Sequence, residues 1–362
     1  MPLPAMLEII DCASSNNKKC LLIIIKRGYD DLLIDKSLIN YEVRSITTIF
    51  ESKIGRLLSF FSIIPYLFKS ILAELKFDGV VMTSNFDTLF QASIIRLFRR
   101  FEIRHQIRDL NKLQLDKGLI PSLIQFIEKN LLRRVTKLII SSPSFATKYY
   151  SKIFQNETIV LENIPRKDVW TNFRKKELNK DSFNIGFIGI LRYKKSIKKL
   201  IQAVEELEDI GINVKVNFSG GSIPDDLTEI KSYIKKSHLF NFSGPFQYKK
   251  DIQRLHSDID LIFAVYDEYD LNCKIALPNK LYESMITKIP ILVAKNTYVG
   301  SIVEELRIGE TISIEKEDLL LRLKEIFYEK ESWYTNSLEK LKKFDTKKIY
   351  NDYDKAILKS IN

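Results

Sequence analysis

The segment ALPNKLYESM, residues 276–285, places one carboxylate, Glu283, three residues after Lys280 and four after Asn279, just behind Pro278. Proline favours the first turn of a helix, so the segment predicts a helix start with Asn279, Lys280 and Glu283 on one face. A carboxylate accepts from two vicinal hydroxyls at once, which suits Glu283 to a ribose. Lys280 and the open amides of a helix start suit a phosphate. The same spacing also fits an intrahelical Lys280–Glu283 pair worth about 0.3 kcal/mol.

A second stretch, NIGFIGILRYKKSIKKLIQAVEEL over residues 184–207, brings Gly186 and Gly189 into a turn and sets Arg192, Lys194 and Lys195 ahead of a helical run of Ile197, Leu200, Ile201 and Val204. Glycines let backbone approach an anion closely, a helix N-terminus adds partial positive charge, and Arg and Lys add full charges. This pattern fits a diphosphate cradle. A strand-to-helix packing turn with a solvated helix start fits it too.

Other chemically able residues form no comparable pattern. DEYD, residues 267–270, sets two aspartates three apart on an expected loop, which is poor spacing for a metal site. His105, His238 and His256 are scattered and read as core or surface residues. Cys12, Cys20 and Cys273 form neither a disulfide framework nor a CxxC ligand pattern, and their odd number suits a reducing compartment.

The elements that must hold these residues alternate. Apolar runs at 21–25, 79–82, 137–140 and 158–161 read as buried strands between helix-like segments, which implies a parallel sheet covered on both faces. The polar, charge-dense stretch NIPRKDVWTNFRKKELNKD reads as a linker. Strand signals then resume at 184–190, 214–218, 240–242, 260–265 and 289–294, with helices expected over 195–208, 225–236, 249–256 and 279–287. The expected fold is α/β with two doubly wound domains in series. A first domain spans 1–165, a linker 166–182, a second domain 183–330, and a helical segment over 331–362 is expected to pack back on the first. In such sheets ligands bind at the carboxyl ends of the strands, where loops lead into helices.

Charge separates the two halves. Residues 1–180 hold 29 Lys+Arg against 18 Asp+Glu and residues 181–362 hold 28 against 28, so the first half carries the whole net charge of +11. A basic first domain points to an anionic partner such as a membrane surface; a solvated lysine-rich surface would carry the same charge. No nucleic-acid-binding motif is present. The opening residues lack the pattern of a secretory signal, and no uninterrupted apolar run is long enough to span a bilayer. The stretch closest to one, residues 54–77, is broken by charges and Pro65, and reads as a buried or amphipathic helix or as a face touching lipid headgroups. A cytoplasmic protein, peripheral on the inner face of the membrane, is the expected location.

Together FIGILRYKKSI, FNFSGPFQYKKDIQRLHSDIDLIFAVY and PNKLYESMITKIPILVAKNTYVGSIVEEL resemble, in order, the nucleotide-sugar-binding domain of glycosyltransferase family 4, a retaining group with the GT-B fold of two Rossmann-like domains facing a cleft. The likeness covers residues 184–306 and is strongest to a branch with a PNKLxE segment that builds bacterial surface polysaccharides. FDGVVMTSNFDTLFQASIIRLF, IRHQIRDLNKL, KLIISSPSFATKYY and IVLENIP resemble the family's amino-terminal domain more loosely. The chain resembles one that begins inside the family's first glycine loop, so the first strand region is expected to be missing.

The resemblance implies that Arg192 and Lys195 grip the donor diphosphate and stabilise the departing nucleotide, and that Glu283 binds the ribose with Gly189, Asn279 and Lys280 lining the donor site. Asp109, of the Arg108–Asp109 pair, joins Arg192 and Lys195 as a catalytic candidate on the acceptor side. It also implies sugar transfer from a nucleotide sugar, used as substrate, to a saccharide or lipid-linked saccharide, with no cofactor and no metal. Two departures stand out: Ile275 occupies the place of the family's first glutamate, and Ile190, not arginine, follows Gly189. They leave room for a transferase-fold protein that binds at a membrane without catalysis. A nucleotide-sugar epimerase would need cleft acid/base groups that the sequence does not offer.

Overall fold

The computed structural model describes residues 4–27, 42–48, 53–74, 79–177, 182–191, 193–221, 232–234, 237–313 and 316–362. The chain divides into one unit of residues 1–162 and 351–362 and a second of residues 163–350.

The first unit runs α1 (Pro4–Ser15), β1 (Leu21–Arg27), β2 (Glu42–Thr48), α2 (Lys53–Glu74), β3 (Val80–Ser84), α3 (Phe86–Ile95), β4 (Glu102–Ile107), α4 (Lys112–Leu115), α5 (Leu119–Leu132), β5 (Val135–Ile140), α6 (Pro143–Lys148) and β6 (Glu157–Val160). β1 and β2 form a parallel pair, and β3-β4-β5-β6 form a parallel sheet in sequence order. Strand β5 shows why these residues make a central strand: Leu138, Ile139 and Ile140 are branched, apolar and wholly buried. Within α2, Ile63 and Ser70 point inward while Tyr66 and Leu72 are exposed.

In the second unit come α7 (Lys167–Trp170), β7 (Phe183–Ile188), α8 (Lys194–Asp209), β8 (Val214–Ser219), β9 (Phe240–Gly244), α9 (Tyr248–Ser257), β10 (Leu261–Ala264), α10 (Leu271–Ile275), α11 (Asn279–Thr287), β11 (Ile291–Ala294), α12 (Tyr298–Leu306), β12 (Gly309–Ile312), α13 (Lys316–Tyr328), α14 (Lys330–Lys342) and α15 (Thr346–Ile361), whose last turns belong to the first unit. Its six parallel strands are ordered β12-β11-β10-β7-β8-β9. Strand order reverses between β7 and β10, the crevice where doubly wound sheets bind ligands. Phe187 packs with Phe218 and Phe263 at 5.9 Å each, and Leu200 and Val204 of α8 are fully buried over the same sheet. The apolar face of α8 therefore fixes where its N-terminus, with Lys195, sits.

The stretch read as a linker carries α7, whose Val169 and Trp170 are buried. Polar neighbours in the sequence hide that anchor. The helix expected over 225–236 is described only at 232–234, and the rest lies outside the described residues. Strands β2 and β12 have no apolar run long enough to announce them; β12 reads GETI. No helix among the described residues is long and apolar enough to cross a membrane.

Candidate functional site

At the carboxyl end of β7 the chain turns through Gly189, whose φ of 140° only glycine adopts without strain. The Gly189 amide donates to the Ser219 carbonyl at 2.8 Å, that of Leu191 to Gly221 at 2.9 Å, and that of Gly220 to Gly244 at 2.8 Å. Three adjacent strand ends are thus stitched into one floor. A Cβ on Gly220 would lie 1.7 Å from the Gly189 carbonyl oxygen, so the two turns touch as closely as backbone allows. Gly220→Ala should force them apart, lowering stability by about 1–3 kcal/mol. Thermal denaturation checks this, and an unchanged midpoint would mean that the floor yields freely.

Lys195 stands in the first turn of α8, exposed, with its ammonium 5.7 Å from the centre of the Tyr269 ring. Ser196 beside it donates to the Val265 carbonyl at 2.5 Å, and Tyr193 stacks on Tyr266 at 4.6 Å. The start of α8 is therefore tied to the loop after β10, across the switch point. Gly189 and Lys195 lie together at this edge; Arg192, two residues before α8, lies outside the described residues.

Helix α11 begins behind Pro278 with Asn279 half-buried, as its sequence predicts. Glu283 is 1% exposed and Lys280 8% exposed, and the two form an ion pair. Tyr248 donates its hydroxyl to Glu283 Oε1 at 2.9 Å, and His256 Nε2 lies 3.1 Å from Oε2. The other ring nitrogen of His256 lies 2.9 Å from the Ile252 carbonyl. Trp170 closes the nest, edge-on to His256 at 5.0 Å. Burial alone would raise the Glu283 pKa; Lys280 first and then His256 outweigh it and hold it at about 2. Burial and the neighbouring carboxylate push the Tyr248 phenol upward, which keeps it a donor.

A carboxylate offers about four lone-pair directions. Lys280 pairs with Oε2 and Tyr248 takes one direction on Oε1, leaving the other direction on Oε1; His256 stands beside Oε2 without a well-aligned hydrogen bond. The intrahelical Lys280–Glu283 pair is present, as one part of this larger network. Sequence reading did not find Tyr248, His256 and Trp170 beside Glu283, and it left His256 among the scattered core or surface histidines. The spacing of Tyr248, Ile252 and His256, four apart on one face of α9, was the available signal.

Beyond β9, Pro245, Phe246, Gln247, Lys250 and Asp251 line an open cavity of about 510 Å³, ample for part of a small ligand. Asp267 and Asp270 have local duties instead of a shared one: Asp267 accepts from the Tyr269 amide and Asp270 caps α10 through the Cys273 amide, both at 2.9 Å. Among the described residues no group of three or more His, Cys, Asp or Glu is placed to hold a metal.

In the first unit β4 ends at Ile107, and Arg108 and Asp109 follow at the carboxyl edge, with Asp109 exposed. His105 lies inside the sheet, bonded to Thr83 at 2.8 Å, and burial drives its pKa down to about 3, so it is neutral. His238 is exposed beside Glu208.

Residues 168–347 match the family model described as glycosyl transferases group 1. The succinoglycan biosynthesis protein ExoL of Rhizobium meliloti is 22% identical over 190 residues, which are 50% of this chain and 46% of that one, so the match spans less than half of this relative. Among solved structures, Anabaena HepE in complex with UDP-glucose superposes with a TM-score of 0.69 at 15% identity over 98% of this chain and 95% of that one. A glycosyltransferase from Rickettsia africae reaches 0.72 at 12% identity over 99% and 92%. The second unit therefore carries a glycosyl transferases group 1 domain, and the chain has the GT-B fold of glycosyltransferases.

Proposed function

We propose that the protein transfers a sugar, of hexosyl type, from a nucleotide-sugar donor to a saccharide or lipid-linked saccharide in bacterial surface polysaccharide biosynthesis, with retention and without a metal. What supports this reading is the carboxyl edge of the six-stranded sheet at its switch point, with the Gly189 turn and the start of α8 with Lys195 beside it, together with the buried Glu283 in the second turn of α11. The donor diphosphate lies on the Gly189 turn and the first turn of α8. There Arg192, Lys195 and the helix amides take up the charge that grows on the leaving nucleotide. A ribose hydroxyl donates to the open direction on Glu283 Oε1, with Asn279 beside it and Lys280 balancing the carboxylate. The acceptor binds the carboxyl edge of the first unit, where Asp109 accepts from its hydroxyl. The branch with the PNKLxE segment, in glycosyltransferase family 4, is the proposed affiliation, and the inner face of the cytoplasmic membrane the proposed place of work.

Titration with UDP, GDP and their glucose conjugates under thermal denaturation tests the donor site. A nucleotide at a hundred times its dissociation constant should raise stability by about 2.7 kcal/mol. Protection by none of them would overturn the donor assignment. Protection without nucleotide release in the presence of any acceptor extract would favour the binding module instead, for which Ile275 in place of an acid is the sequence argument.

A further inference from the structure

Helix α5 has two unlike faces. On the inner one, Glu128 is buried and receives hydrogen bonds from Gln114 at 2.7 Å, Tyr149 at 2.6 Å and Tyr150 at 3.1 Å, with Leu131 and Leu132 buried beside it. Opposite, at helical spacing, Leu119 is 92% exposed, Leu123 58% and Phe126 65%, with Ile120 at 66% on the flank. Four large apolar side chains on one open face exceed the scattered exposure usual for a soluble surface.

The surroundings are basic. Lys112 and Lys117 precede the stripe and Lys129 and Arg133 follow it, and none of the four makes an ion pair among the described residues. The acids nearby do little to offset them, since Glu128 is buried and Asp116 stands alone among these residues. A second copy of the chain laid on this face would bring the same four cations together, which costs affinity. An anionic bilayer answers both properties at once: acyl chains take the leucines and phenylalanine, and phosphate headgroups take the lysines.

We propose that the outer face of α5 is a membrane-docking surface for an anionic bilayer, with Leu119, Leu123 and Phe126 entering the acyl boundary. The proposal rests on the membrane part of the reading above and not on sugar transfer. Helix α5 starts 12 residues after β4 ends, at the same sheet edge as Asp109, and returns toward the start of β5. Docking by this face holds the acceptor edge of the first unit at headgroup level, where the phosphates of a lipid-linked saccharide lie.

Co-sedimentation with phosphatidylcholine vesicles, with and without one part in four of phosphatidylglycerol, tests it on the full chain. The wild type should bind the anionic vesicles, with binding weakened by salt. The double substitution Leu123→Glu and Phe126→Glu, at exposed positions, should lower partition at least about tenfold. Its circular dichroism spectrum and its midpoint of thermal denaturation should match those of the wild type, which certifies its fold. Anionic-vesicle binding that survives the double substitution overturns this face while leaving membrane association standing, and no vesicle binding by the wild type overturns both. A free protein that sediments as a dimer and becomes monomeric on the substitution makes the face an interface between copies and also overturns the proposal. None of these outcomes bears on whether sugar is transferred.

Discussion

Glu283→Ala should unfold at markedly lower temperature than the wild type, with about 3–5 kcal/mol lost, because it strands two buried groups instead of removing one contact. Lys280 is nearly and His256 fully inaccessible, and the Lys280 ammonium and the His256 Nε2 face that carboxylate. Breaking a buried pair from one side leaves the other charge uncompensated, which is the costly half of a buried ion pair. Replacing the group together with Lys280, as Lys280→Met with Glu283→Leu, should recover part of the loss. The same carboxylate sets an acid limit. Its folded pKa of about 2 lies below the ordinary 4.5, so the stability it contributes is complete above pH 4.5 and fades as pH falls toward 2. The amount is on the order of 3 kcal/mol. Chemical denaturation across that window should give a slope in the wild type that Glu283→Ala lacks; equal slopes would remove Glu283 as its source.

Arg192→Ala and Lys195→Ala should each lower turnover by about 100- to 1,000-fold, equivalent to about 2.7–4 kcal/mol of transition-state stabilisation. Charge on the leaving diphosphate grows as the glycosidic bond breaks, so a cation beside it binds the transition state more strongly than the donor. Lys195 is placed for this by the buried stripe of α8 and by Ser196, which ties the helix start to Val265. Its ammonium is exposed, over the face of the Tyr269 ring. Steady-state kinetics with a fixed acceptor separates the possibilities. A rise confined to KM would make these residues donor-binding groups without a part in bond breaking.

Much of this arrangement is legible in the residues themselves. Asn279–Thr287 reads as a helix because Pro278 starts it, and β10 and β11 read as strands because four apolar residues in a row fit only a sheet buried on both faces. Gly189 and Lys195 signal their place because turn chemistry and helix amphipathicity are local properties. The company kept by Glu283 is not local. Tyr248 and His256 reach it from another helix, and Trp170 reaches His256 from a stretch whose neighbours are all polar. No short window of sequence contains both partners, so a pair three residues apart gave only the smallest part of the network. The apolar face of α5 escaped for a different reason. Leu119, Leu123 and Phe126 have the periodicity of a core stripe, and only the burial of Glu128 on the opposite face reveals which side looks outward.

The last turns of α15 give the first unit an unusual dependence on time. Arg104, in the middle of β4, donates to the carbonyl of Ser360 at 2.7 Å, and Lys137 of β5 donates to that of Lys359 at 3.1 Å. These contacts join residues 256 and 222 positions apart, so they cannot form until that many further residues have been made. At about 5–20 residues per second, Arg104 waits roughly 13–50 s on the ribosome for its partner. The second unit, whose residues are contiguous, is complete sooner after its own first residue appears than the unit that precedes it. In this protein the half that is synthesised first is the half that is finished last.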